Sequence, residues 1–103
     1  MSSRLPLRIT RRAAREIRVA SAWWDVNRPA APDAFRDAIA SAFELISTHP
    51  DIGAAATNVK LPGIRRVHLS RVHYHLYYRI KDKPKAVEVV SLWHTSRYPD
   101  PGL

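Results

Sequence analysis

The chain contains no cysteine, which excludes disulfides and thiolate metal sites and fits a reducing cytoplasm. Only three glycines occur. No Walker loop, dinucleotide fingerprint, Gly-x-Ser-x-Gly elbow or zincin pattern can be found, so the common phosphate-cradling and hydrolase motifs are absent. No apolar run is long enough to span a bilayer, and the first nine residues carry two arginines and no signal-like apolar segment. Neither a membrane partner nor secretion is expected; the expected compartment is the cytoplasm.

Negative charge is also scarce: nine acidic side chains face seventeen Lys and Arg, a net charge of +8. The excess is uneven. Residues 1–52 hold eight basic and six acidic side chains, residues 53–103 hold nine and three, and four of the five histidines lie in the second half. A field of this sign attracts nucleic acid or an acidic protein. Hydrophobic residues make up 46% of the chain, enough for one folded domain over residues 1–103.

The periodicity predicts a strand, two helices and three strands. Leu5-Pro6-Leu7-Arg8-Ile9 alternates like a short strand, and Thr10 can cap the helix that follows. Ala13, Ile17, Ala20 and Trp24 recur at helical steps as one apolar stripe. Arg11, Arg15 and Arg18 fall on another face, and Trp23 lies about 100° away from Trp24. The prolines of Asn27–Pro32 end this helix. Phe35, Ala38, Ile39, Ala42, Phe43 and Ile46 then mark a second one, closed by His49-Pro50, so an antiparallel helical hairpin is expected. Ile39 and Phe43 are expected in the core with Trp24.

A loop from Asp51 to Gly63 precedes strands near 64–70, 72–81 and 85–93. A tight Ser70-Arg71 turn would pair Leu69 with Val72, His68 with His73 and Arg66 with His75. A four-residue loop is the alternative, because Ser-Arg is a poor primed turn. Both give the same faces. Val67, Leu69, Val72, Tyr74, Leu76, Tyr78 and Ile80 share the core side. Arg66, His68, His73, His75, Tyr77 and Arg79 share a polar side, which antiparallel sheets can leave in water. That side offers cations for a phosphate and imidazoles for proton transfer. Three of its histidines could approach a metal, but no carboxylate or cysteine joins them and Arg66 would repel a cation. No metal or other cofactor is expected. His94 and Arg97 leave the end of the last strand, where a polar segment can reach a ligand.

Several motifs in this order resemble the RelE/ParE superfamily of type II toxin–antitoxin toxins. They are Ile9-Thr10 with Ala13, Phe35 to Ile46 followed by His49-Pro50-Asp51-Ile52-Gly53, Arg65-Arg66, Tyr74-His75-Leu76-Tyr77-Tyr78-Arg79, and the His94-x-x-Arg97 ending. The resemblance implies an α+β, βααβββ fold, with a helical hairpin on a small antiparallel sheet. It also implies a cognate acidic antitoxin and a toxin–antitoxin hetero-oligomer.

RelE-like members cut mRNA in the ribosome without metal; ParE-like members inhibit DNA gyrase and are not nucleases. For a RelE-like chain, Arg66, His68, His75 and Arg97 fall at or near the basic catalytic positions. Two of those positions are histidine here, and RelE's late C-terminal tyrosine has no clear counterpart, although Tyr98 is nearby. The short tail and long hairpin favour the ParE-like branch, with His94, Arg97 and Tyr98 as candidates for target contact. Trp23, Arg15 and Arg79 are the candidates for antitoxin contact. A third class is an inactive member that only binds antitoxin and serves autoregulation.

Overall fold

A computed structural model describes residues 4–103. Two helices, α1 (Arg11–Asn27) and α2 (Ala34–Thr48), lie between strand β1 (Leu7–Ile9) and strands β2 (Ala54–Ala55), β3 (Arg65–Leu69), β4 (Tyr74–Lys81) and β5 (Ala86–His94). The sheet order is β1-β5-β4-β3-β2. The α+β class and the βαα…βββ order agree with the sequence. The sheet is mixed, however: β1 runs parallel to β5, with Leu7 opposite Val87, and the other neighbours are antiparallel. The extra strand β2 is only two residues long, too short for alternation to reveal.

Thr10 caps α1, its hydroxyl accepting from the Ala13 amide at 3.1 Å. The indole N–H of Trp24 donates to the Ala31 carbonyl at 2.7 Å, fastening the linker between the helices. Ala13, Ala20, Trp24, Phe35, Ile39, Ala42 and Ile46 meet Leu69, Leu76, Tyr78, Val87, Val89 and Leu92 in the main core. Ile39 and Trp24 are buried as expected. Phe43 is half-buried and packs on the core from its edge. Phe35 is the second helix's buried aromatic anchor instead.

The hairpin register is the four-residue alternative. Leu69 pairs with Tyr74 and His68 with His75, and Ser70–His73 make the loop. The tight Ser70-Arg71 pairing is thereby corrected: Val72 leaves the strand yet is buried in the core, and His73 sits exposed at φ +64°. A positive φ tolerated by His closes the loop without a glycine.

The second sheet face also departs from expectation. Tyr77 is 1% exposed and packs with Ile64, Val90, Leu61, Trp93 and Leu103 in a smaller cluster. Segment 56–64 and the chain around Pro101–Leu103 cover this face. The amides of Lys60 and Leu61 both donate to the Leu103 carbonyl. Strand alternation reports faces but not what long-range segments lie over them.

The His49–Gly53 motif gains a physical reason. The Tyr78 hydroxyl donates to the Pro50 carbonyl at 2.7 Å and accepts from the Gly53 amide at 2.9 Å. A Cβ on Gly53 would lie 2.7 Å from that hydroxyl and 3.1 Å from the Arg66 carbonyl. Gly53→Ala is therefore expected to destabilise the fold by about 1–3 kcal/mol, the usual range for overpacking. A denaturant melt that leaves the midpoint unchanged would contradict the close approach.

Candidate functional site: a basic aromatic groove beside a polar sheet face

The candidate residues separate into two surfaces. The first is the outer face of β3 and β4. His68 and His75 are cross-strand neighbours with ring centroids 5.1 Å apart, and Tyr77 lies 6.2 Å from His75. Arg66 is half-buried on the same strand as His68. Burial holds the His75 pKa below the ordinary histidine value; the charges of Arg66 and His68 push the same way, and Asp100 opposes them. His75 is therefore neutral at pH 7, able to take a proton but not to supply fixed positive charge.

Three members of the RelE-like set, Arg66, His68 and His75, do share this surface. Tyr77, read as open, is buried and accepts from the Asn58 amide at 2.9 Å. His73 is in the hairpin loop. No group of three or more His, Cys, Asp or Glu among the described residues could hold a metal ion.

The depressed His75 pKa has a stability consequence. The unfolded chain binds this proton more readily than the folded chain, so stability rises with pH across the titration. The contribution is present above the unfolded histidine pKa of about 6.5 and is lost as pH falls through the lower folded value. His75→Gln is expected to flatten the pH dependence of the melting temperature on the acid side of about 6.5. An unchanged slope would show that another group carries it.

The second surface is a groove of about 590 Å³ between α1 and the end of β5, lined by residues that include Arg12, Arg15, Val19, Trp23, His94 and Arg97. Its floor depends on an irregularity in β5. Tyr77 pairs with Ser91 and Tyr78 with Val89, so Val90 is an extra residue. Val87 and Val89 belong to the helix-side core; after the bulge it is Leu92 that does so, and His94 follows it into the groove. Glu16 holds this turn in place. Its Oε1 accepts from the Ser91 hydroxyl at 2.8 Å and the Leu92 amide at 3.2 Å, and its Oε2 faces Arg12 Nε at 3.3 Å.

The rim is aromatic and cationic. The Arg97 guanidinium lies 3.7 Å from the Trp93 ring centre, a stacking distance. The Trp93 indole N–H donates to the Pro99 carbonyl at 3.1 Å, tying down the segment after β5. His94 Nδ1 accepts from the Ser96 amide, which leaves the ring proton of the neutral form on Nε2. Val19, Trp23 and Val26 are 65%, 48% and 77% exposed. They follow one another at four- and three-residue steps, a second apolar stripe that the spacing alone could have disclosed.

The groove thus unites His94, Arg97, Arg15 and Trp23, residues read separately as target and antitoxin candidates. Tyr98 lies just beyond, 92% exposed. Arg79 is not part of it; its Nε donates to Glu88 at 2.8 Å across the β4–β5 pair. Arg12 and Glu16 went unnoticed in the sequence because only the fold sets α1 against the bulged end of β5; Val19 was open to its helical spacing from Trp23.

The family model for the ParE toxin of the type II toxin–antitoxin system parDE matches residues 7–99. The chain belongs to the ParE toxin family. A chain of the chromosomal ParDE toxin–antitoxin system from P. aeruginosa is similar in structure, with a TM-score of 0.68, 20% identity, and coverage of 92% of this chain and 100% of that one. The isolated E. coli RelE toxin superposes with a TM-score of 0.58 and 20% identity, over 90% of this chain and 86% of that one. At such identities the two neighbours establish the fold. A comparison with curated proteins gives no significant match. Family membership makes this ParE-like chain a type II toxin–antitoxin toxin, and the family implies an antitoxin partner. No helix among its described residues is long and apolar enough to cross a membrane.

Proposed function

We propose that this ParE-family chain inhibits DNA gyrase by binding it, and that a cognate acidic antitoxin neutralises it in a hetero-oligomer in the cytoplasm. The observation that carries the reading is the groove. It gathers an exposed indole, an exposed valine and several cationic side chains around an apolar floor, the make-up of a protein-binding patch. The +8 charge favours encounter with acidic surfaces.

Ribosome-dependent mRNA cleavage is the second reading, and the Arg66–His68–His75 cluster is what favours it. Against it, His75 is uncharged at neutral pH, and Tyr77 beside it is buried under segment 56–64. Arg66 is then the fixed positive charge that this cluster offers a developing oxyanion. An inactive, autoregulatory role predicts neither activity.

The test uses purified toxin in two parallel assays, gyrase supercoiling and ribosome-dependent cleavage of a message. Inhibited supercoiling with an intact message is expected. Cleaved message with unaffected supercoiling would establish the second reading in its place, and silence in both assays would establish the third.

A further inference from the structure

Glu16 is the acidic residue in the lining of a groove whose other charged groups are cationic. An acid there opposes attraction toward an acidic surface, so its place needs another reason. Its side chain is only 13% exposed, and both carboxylate oxygens are engaged. Oε1 accepts from the Ser91 hydroxyl and the Leu92 amide, just after the bulge at Val90. Oε2 meets Arg12, whose Nη1 donates to the Gly102 carbonyl at 3.1 Å.

These two contacts fall on either side of the segment that carries His94, Arg97 and Tyr98. Residues 95–100 are all exposed and belong to no helix or strand. Such a segment is ordered only as far as its ties hold it. Before it, Leu92 is fixed to Glu16. Within it, the Thr95 amide donates to the His73 carbonyl at 2.9 Å, and the Trp93 indole N–H to the Pro99 carbonyl. After it, Gly102 is fixed to Arg12, and so to the same carboxylate, while the Leu103 carbonyl accepts from the amides of Lys60 and Leu61. The Arg12 guanidinium also lies 5.6 Å from the centre of the Trp93 ring, on which Arg97 stacks. Glu16 therefore reaches Arg97 by two routes, one through β5 and one through Arg12. A surface ion pair contributes little stability by itself. Here the pair joins both ends of one segment, and a segment ordered beforehand loses less entropy on binding.

We propose that Glu16 is a positioning residue for the target-contacting segment: one carboxylate fixes the bulged end of β5 and, through Arg12, the chain beyond Pro99, so that Arg97 and Tyr98 are presented in one arrangement. That this segment contacts gyrase rests on the reading above. That Glu16 positions it rests on the bonds themselves.

The test reads order and action separately in Glu16→Ala and Glu16→Gln, with Glu44→Ala as the control that removes the ion pair to Arg4. Nuclear magnetic resonance relaxation gives backbone order parameters. In Glu16→Ala those of Arg97, Tyr98 and Asp100 are expected to fall from about 0.85 to below about 0.6, the rigid and flexible limits. The Leu92 amide should lose its protection from exchange, while Tyr78 and Val87 keep theirs. Glu16→Gln retains an oxygen for Ser91 and Leu92 but sets a side-chain amide N–H against Arg12. Leu92 should then stay protected while Asp100 and Gly102 loosen, a split that general loss of stability does not produce. Should the alanine variant fail to fold, the glutamine variant carries the test.

Gyrase inhibition adds a test of sign. Charge alone predicts stronger inhibition when an acid leaves a cationic groove. Positioning predicts weaker inhibition, by about three- to tenfold, the cost of ordering an arginine side chain on binding. Glu44→Ala should change neither reading. Unchanged order beyond Thr95 in both variants would overturn the proposal, as would loosening shared by Tyr78 and Val87. Stronger inhibition, or full inhibition by a loosened segment, would overturn it too. A wild-type chain without action on gyrase overturns the target reading instead, and the order and exchange measurements then decide the positioning by themselves.

Discussion

Replacing Phe35 by alanine is expected to cost about 3–5 kcal/mol of folding stability, the range for deleting a fully buried aromatic side chain. Phe35 is 3% exposed. Its ring centre lies 6.3 Å from that of Trp24, tilted by 33°, and 5.7 Å from that of Tyr74 in an edge-on arrangement. It therefore joins α1, α2 and β4 at one point. Deleting the ring opens a cavity among rigid aromatic neighbours that cannot easily collapse into it, and two aromatic pairs are lost with the buried area. For a domain of about 100 residues such a loss is a large share of the total stability. Chemical denaturation of wild type and Phe35→Ala measures it directly. Phe43→Ala serves as the comparison: Phe43 is only half-buried and should cost distinctly less. Equal costs at the two positions would mean that the core is not centred where the structure places it.

The second large effect concerns action on the target. Arg97→Ala is expected to weaken gyrase inhibition about 10- to 100-fold, the scale of an arginine at the centre of a protein interface. Arg97 is exposed and is held in place by stacking on Trp93, so its removal should leave the melting temperature nearly unchanged. Arg97→Lys is expected to restore little, because an ammonium neither stacks as a plane nor presents a fork of donors. His75→Ala, outside the lining of the groove, should leave inhibition close to that of the wild type. The reverse pattern, in which His75→Ala silences the toxin and Arg97→Ala does not, would transfer the site to the polar sheet face. Titration of supercoiling inhibition with each variant, beside a thermal melt of each, distinguishes these outcomes.

Much of this architecture is written in local sequence. Thr10 announces the start of α1, and the hydroxyl does cap it. The Ala13-Ile17-Ala20-Trp24 and Phe35-Ile39-Ala42-Ile46 spacings fix the buried sides of both helices, because a helix buries whatever recurs at its own period. The polar and apolar faces of β3 and β4 follow from alternation, and the four-residue loop preserves them because it leaves the parity of the two strands unchanged. The same alternation assigned Tyr77 to the outer side, yet it could not tell that segment 56–64 and Leu103 would cover it. That contact joins residues far apart in the chain and has no periodic signature.

The candidate site divides along the same line. Local pattern was enough to single out Trp23 and Arg15, which fall off the apolar stripe of α1, and His94 and Arg97, which leave the end of the last strand. Their meeting in one groove was not legible. It depends on the single extra residue at Val90, which shifts the alternation of β5 so that Leu92 and His94 come to the α1 side. A bulge has no sequence signature here; it is stabilised from α1, where Glu16 accepts from the Ser91 hydroxyl and the Leu92 amide some 75 residues along the chain. The sequence by itself determined every element but the two-residue β2, the core-facing sides of the helices and of β3 and β4, and the basic character of the surface, since each of these depends on neighbours within a few turns or strand steps. Only the tertiary structure decided which of the exposed groups share a surface, because that is set by hydrogen bonds and packing between segments that meet only after the chain has folded.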